Sequence, residues 1–214
     1  MNARTIILLA SCIAFNGSDA ASLSVIVKDE KGALVSDAVV YAKSGTTAAH
    51  VAKRAVIDQQ NKQFVPYVTA VQVGTAIMFP NKDNIRHHVY SLSPAKRFEL
   101  PLYTGVPAVP VVFDKEGFVT LGCNIHDWMI AYVAVLPTPY FQATGQDGHV
   151  ALKNLGSGQY TVFVWHPLLK KSPEESVQHV DLTRGDAREL LFTLDLKPDF
   201  RARRVPTLSN GGYR

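Results

Sequence analysis

Cysteine is scarce in this chain. Only Cys12 and Cys123 occur in 214 residues. Cys12 sits in a stretch that reads as a secretory leader. Met1-Asn2-Ala3-Arg4 is a short basic start, Thr5 to Phe15 is apolar, and Ser18-Asp19-Ala20 offers small residues for cleavage before Ala21. Removal of residues 1–20 as a signal peptide leaves one thiol in an oxidising compartment, which excludes an intramolecular disulfide. A lone exported thiol is a liability unless something occupies it, and a metal ion is a suitable occupant. Lys in the loops and no eukaryotic sorting signal place the expected protein in a bacterial periplasm. Leu9-Ala10-Ser11-Cys12 also resembles a lipoprotein cleavage box, which would instead leave a lipid on Cys12.

Other things are missing too. After the leader no apolar run reaches the length of a membrane span. No stretch sustains a helical period beyond about two turns, which argues against a helical bundle. There is no G-x-S-x-G elbow and no phosphate-cradling glycine loop, so common nucleophilic and nucleotide chemistries lack their signatures. The formal net charge is +4. From Lys197 onward, Lys197, Arg201, Arg203, Arg204 and Arg214 face only Asp199, so this tail carries the whole excess. The segment 197–214 also holds prolines and glycines without an apolar period and reads as a disordered basic end, or as a docking tail for an acidic partner. It has no interleaved aromatics, and nucleic-acid binding is not expected.

What the chain does have is β texture. Leu23 to Lys28 alternates and ends in the turn Asp29-Glu30-Lys31-Gly32. Ala38 to Ala42, Val68 to Val73, Ala76 to Phe79, Val89 to Leu92, Val109 to Phe113, Phe118 to Leu121 and Ile130 to Leu136 read as further short strands. After Leu136, Pro137-Thr138-Pro139 looks like a junction. Two more strands follow around the turn Gly156-Ser157-Gly158, and a last pair spans Val177 to Leu182 and Glu189 to Leu194. Short strands at this spacing predict an all-β protein built of sandwiches or barrels.

Cys123-Asn124-Ile125-His126-Asp127-Trp128-Met129 carries the chemistry. It sets a thiolate, an imidazole and a thioether at C-x-x-H-x-x-M spacing, between a strand ending near Cys123 and one starting at Ile130. A further ligand from elsewhere must tie this loop to the body. His87 or His88, at the head of the strand Val89 to Leu92, can supply it. Neighbours on a strand face opposite ways, so only one of the pair can face the metal. Two imidazoles, a thiolate and a weak thioether form the ligand list of a blue-copper electron-transfer site. Zinc rarely takes a thioether, and calcium and magnesium require oxygens. Asn81 and Asp83 read as turn formers. Ile125 and Trp128 flank His126, either as an apolar rim for partners or as packing. His166 reads as structural, and His50, His149 and His179 as scattered surface residues.

Phe79-Pro80-Asn81-Lys82-Asp83 with His87 and Val89, then Gly122-Cys123 with His126 and Met129, resembles the cupredoxin family over roughly residues 56–136. The ligand loop is as short as in its amicyanin-type members. The segments Arg86 to Ser91 and Gly122 to Met129 are also similar to bacterial proteins labelled methylamine utilization protein, a label that itself implies no part in methylamine oxidation. The resemblance implies a Greek-key β-sandwich with one type 1 copper ion on His87, Cys123, His126 and Met129. It further implies a one-electron carrier, not an enzyme, whose partner would be a cytochrome or a dehydrogenase. Many cupredoxins place Asn after the first His ligand, whereas this chain has His88. Other readings are a copper delivery or storage protein and a non-redox β-sandwich interaction module with a structural metal. Asp147-Gly148 with Leu152, Leu155, Gly158 and Tyr160 resembles the carboxypeptidase regulatory-like, or transthyretin-like, sandwich over about 137–196. The opening of that family looks more like Leu23 to Ala42. A discontinuous sandwich of residues 21–50 and 137–196, with the copper domain inserted, is therefore expected. The alternative is that Leu23 to Ala42 supplies the first cupredoxin strands.

Overall fold

The structure is a computed structural model and describes residues 20–45 and 53–199. The expected leader, Cys12, His50 and the tail beyond residue 199 lie outside the described residues. Within them the chain is all-β, with one short 3-10 turn at Pro173–Glu175. In chain order the strands are β1 (Ala21–Asp29), β2 (Val39–Ser44), β3 (Arg54–Val56), β4 (Asp58–Gln60), β5 (Gln63–Val65), β6 (Val68–Gln72), β7 (Thr75–Met78), β8 (His87–Ser93), β9 (Lys96–Tyr103), β10 (Val111–Phe113), β11 (Gly117–Cys123), β12 (His126–Leu136), β13 (Phe141–Ala143), β14 (His149–Leu155), β15 (Gly158–Trp165), β16 (Gln178–Leu182) and β17 (Ala187–Leu194).

Four sheets stack in layers, with strand orders β14-β1-β17, β13-β2-β15-β16, β6-β12-β11-β8-β9 and β10-β7-β3; β4 and β5 form a separate hairpin. The first two sheets close over one core. β1 alternates strictly, burying Ala21, Leu23, Val25 and Val27, and these meet Val40 and Ala42 of β2 and Val162 and Val164 of β15. β1 pairs with β14 and, in parallel, with β17. β2 pairs with β13 and β15. The third and fourth sheets and the hairpin enclose a second core that includes Ile57, Phe64, Ile77, Phe79, Val89, Phe113, Leu121, Cys123, Met129 and Val133.

A third core glues the second sheet to the third. Val39 and Tyr41 of β2 and Trp165 of β15 pack with Val68, Ala134 and Leu136. The Trp165 ring stacks on Phe118 at 4.4 Å and 4°, and Tyr41 stacks on Phe163 at 4.9 Å and 7°. This layer explains a feature of the sequence. Ala38-Val39-Val40-Tyr41-Ala42 and Ile130 to Leu136 hardly alternate, because both faces of these strands are covered.

Several boundaries differ from the sequence expectation. β12 begins at His126, four residues before the expected Ile130, and β8 begins at His87 itself. β3, β4, β5, β9 and β13 were not expected. β9 is an edge strand that carries charge and Pro101. Its register slips opposite His87 and Val89, which is where an edge tolerates proline. β4 and β5 are too short to show a period. Their two-residue turn, Asn61-Lys62, has φ of 55° and 58°, the left-handed pair that suits a tight hairpin.

The stacked Trp165 tests the central layer. Trp165→Ala removes its contacts with Phe118 and Tyr132 from a buried site. It is expected to lower unfolding stability by about 3–5 kcal/mol, measured by denaturant melts. A loss within experimental error would mean that the two sandwiches are not packed through this residue.

Candidate metal centre

Three strand ends build the site. Cys123 is the last residue of β11 and His126 the first of β12, and they pair across the turn Asn124-Ile125. The next pair is Gly122 with Ile130, so Asp127, Trp128 and Met129 are surplus on β12. Such an irregularity bends a strand and re-aims its side chains. Here it turns Met129 into the core, 1% exposed beside Cys123 at 3%, and leaves Asp127 in solvent. β8 lies next to β11 through the pair Gly122 with Tyr90, which brings His87, the first residue of β8, to the same end. The sequence placed these side chains on a loop; the structure puts only residues 124 and 125 there.

His87, Cys123 and His126 each offer a ligand atom within 4.8 Å of the others. Cys123 Sγ lies 3.7 Å from His126 Nδ1. The His87 and His126 rings are 5.0 Å apart at 62°. His88 faces the other way, with its Nε2 2.7 Å from Glu99 Oε1 and its ring 5.4 Å from Tyr90. The alternation of a strand separates the two histidines, and His87 is the one in the group.

The nitrogens of His87 have different fates. Nε2 donates to Asp83 Oδ2 at 2.7 Å, which fixes the tautomer and leaves Nδ1 as an acceptor. That Nδ1 is fully buried and has no hydrogen-bond partner. A buried polar atom without a partner carries a desolvation cost of about 1–3 kcal/mol, unless a further group engages it. A soft thiolate, two imidazoles and a nearby thioether suit copper, and the unpartnered Nδ1 fits a metal ligand. Cys123 is a free thiol.

Asp83 and Asn81, read from sequence as turn formers, prove to be the frame of the site. Asp83 accepts the amide of Asn61 at 2.7 Å and that of Lys62 at 2.9 Å, besides His87. Burial would raise its pKa, but the Lys62 amide, His87 and the Asn61 amide together more than offset this and hold the carboxyl below the usual carboxylate range. Asn81 donates to the carbonyls of Ile85 at 2.9 Å and Tyr103 at 2.8 Å, and its Oδ1 accepts the Asp83 amide at 3.0 Å. Behind them Gln59, fully buried, donates to Phe79 O at 3.1 Å and to the Tyr103 hydroxyl. An Asx-rich turn just ahead of a strand-head histidine was the available signal, but it did not reveal that the carboxylate would fold back onto His87.

His126 is the more open member of the group. Its ring lies 5.2 Å from that of Trp128, and the neighbouring Ile125 is 48% exposed. A groove of about 530 Å³ runs past Tyr90, Thr120, Gly122 and Asp127 to Cys123 and Met129. The other histidines are used elsewhere: His149 meets Ser24 at 2.8 Å, His179 meets Thr161 at 3.1 Å, and buried His166 accepts the Leu168 amide at 3.1 Å. Among the described residues no other three His, Cys or acidic side chains converge as this group does.

No family model and no curated protein matches the chain. Among solved structures, the chain is similar to a purple cupredoxin from Nitrosopumilus maritimus, with 24% identity and a TM-score of 0.33, over 38% of this chain and 96% of that one. A copper-containing nitrite reductase from Thermus scotoductus matches at 22% identity and a TM-score of 0.36, over 44% of this chain and 24% of that one. An oxidised mutant of amicyanin matches at 18% identity and a TM-score of 0.36, over 45% of this chain and 99% of that one. Each likeness covers less than half of the chain.

Burial, then the nearby His87 and Lys62, hold His126 below its ordinary pKa of 6.5, against a smaller opposing pull from Asp83. In the metal-free protein the unfolded chain therefore takes up this proton first as pH falls. His126 should cost the fold stability from about pH 6.5 downward, until its folded value is passed, and should contribute no further change below that. An NMR titration of the metal-free protein checks the shift; a midpoint at or above 6.5 would contradict it.

Proposed function

We propose that this chain is a type 1 copper protein that carries single electrons between redox partners. The observation that carries the reading is the group of His87, Cys123 and His126, each with a ligand atom within 4.8 Å of the others, together with the buried Nδ1 of His87 that has no hydrogen-bond partner. Met129, buried in the same core as Cys123, is the weak fourth donor. Copper bound in such a set alternates between Cu(II) and Cu(I), taking up and giving up one electron.

The residues of this chain do the rest. His87, Cys123 and His126 stand at the ends of paired strands, so the sheets fix their positions whatever the charge of the site. Burial of His87, Cys123 and Met129 excludes water. His126, with Trp128 and Ile125 beside it, is the opening through which an electron passes to a docked partner. Four protein donors leave no position for a substrate, which favours a carrier over an enzyme. The leader supports a periplasmic location, and a cytochrome or a dehydrogenase is the expected class of partner. No helix among the described residues is long and apolar enough to cross a membrane.

Adding Cu(II) to the purified protein should give an intense thiolate-to-copper absorption band and an EPR signal with narrow hyperfine splitting. A colourless protein with an ordinary Cu(II) spectrum would overturn the proposal.

Cys123→Ser should abolish the band, because the band needs the copper–sulfur bond. Met129→Leu should keep copper and colour but raise the reduction potential, since a donor that favours Cu(II) is lost. Failure of the Met129→Leu protein to bind copper would refute the role of Met129 as a weak donor.

A further inference from the structure

We infer that Asp83 is a positioning residue that sets the reduction potential of the centre, by loading the His87 imidazole with negative charge through its far nitrogen. The inference rests on the copper reading above.

Both Asp83 oxygens are committed. Oδ1 accepts the Asn61 amide, while Oδ2 accepts the Lys62 amide and His87 Nε2–H. The 2.7 Å contact with His87 lies in the range of charge-assisted hydrogen bonds. Water does not compete for it, since the His87 side chain is 0% exposed and that of Asp83 13%. The β4–β5 turn exists in its left-handed form at both Asn61 and Lys62, and in that form its two successive amides converge on one carboxylate. Lys82, next to Asp83 in sequence, gives its ammonium to Asp58 at 2.6 Å. The carboxylate charge is thus held against His87 by backbone amides and is not neutralised by that lysine.

A carboxylate on the far nitrogen raises the basicity of a ligand imidazole and fixes its ring. A more basic ligand stabilises Cu(II) more than Cu(I), because the higher charge gains more from electron donation. The potential falls accordingly. The effect is one-sided: among the described residues the hydrogen-bond contact of His126 is with the Cys123 thiol, not with a carboxylate. The closed side of the site carries the tuning charge, and the open side carries the exit route.

The test uses the full, copper-loaded chain. Asp83→Asn keeps an acceptor oxygen of the same size and removes the charge. Loss of such a partner typically weakens metal affinity by about 10–100-fold. Here Cu(II) affinity should fall by that much and Cu(I) affinity by less. Each tenfold of difference moves the potential upward by about 59 mV for one electron, read by spectroelectrochemistry. Asp83→Glu, which keeps the charge, should move it less. Equal losses of Cu(II) and Cu(I) affinity with an unchanged potential would overturn the inference and leave Asp83 as a tie for its loop. Should Asp83→Asn not fold, NMR of the wild-type Cu(I) protein decides. A slowly exchanging, far-downfield proton on His87 Nε2 supports the inference, and its absence sinks it. A wild-type chain that takes up no copper would fail at the earlier step, the copper reading itself, and is told apart in that way.

Discussion

Covering β12 on both faces is the constraint around which the molecule is organised. One face of this strand, through Met129, Ala131, Val133 and Val135, fills the core shared with the fourth sheet. The other, through Ala134 and Leu136, meets Trp165 and Tyr41 of the second sheet. A strand apolar on both sides has no stable place in a two-layer sandwich with one wet face. The second sandwich supplies the missing cover. The proposed metal centre then sits at the free end of this same strand, where the pairing with β11 breaks and the side chains change direction.

Polar residues at that end are arranged in a hierarchy. Asn81 fixes the loop of residues 81–85 to β9, and the β4–β5 turn fixes the Asp83 carboxylate. Asp83 fixes His87. At each step a polar atom meets its partner, from the exposed amides of the β4–β5 turn inward, until the series reaches the buried His87 Nδ1, which has no hydrogen-bond partner. Other buried atoms, among them Gln59 Oε1 and His88 Nδ1, also lack a hydrogen-bond partner. What sets His87 apart is its place in a group with the free Cys123 thiol and His126, and that is the reason to read the site as a metal site. Gly122 shows how closely the surroundings are packed. A Cβ there would lie 3.0 Å from the Tyr90 ring, which would have to shift to admit it.

Much of this was legible in the chain. The β character followed from short apolar runs between glycine and aspartate turns. Cys123, His126 and Met129 were marked by spacing and His87 by its place ahead of a strand, and the structure groups three of these four and buries the fourth in the same core. The strand ends were less legible. His126 opens β12 because Cys123 pairs with it across a two-residue turn, and no local propensity announces that pairing. β9 was hidden by its alternating charge and Pro101, which an edge strand tolerates and an isolated pattern does not reveal. His87 and His88 could not be separated by residue type, only by the face each presents once β8 pairs with β9 and β11.

The sequence by itself determined the element class and the donor chemistry, because period and residue type are local properties. It also determined that a single thiol, Cys123, lies outside the segment that reads as a leader. Tertiary structure decided the rest. It joined β1 and β2 to strands more than a hundred residues later, at His149–Leu155, Gly158–Trp165 and Ala187–Leu194. It folded Asp83 back onto His87 under the amides of a hairpin some twenty residues earlier. Hydrogen bonds between groups so far apart in sequence depend on the path of the whole backbone, and no local pattern encodes that path.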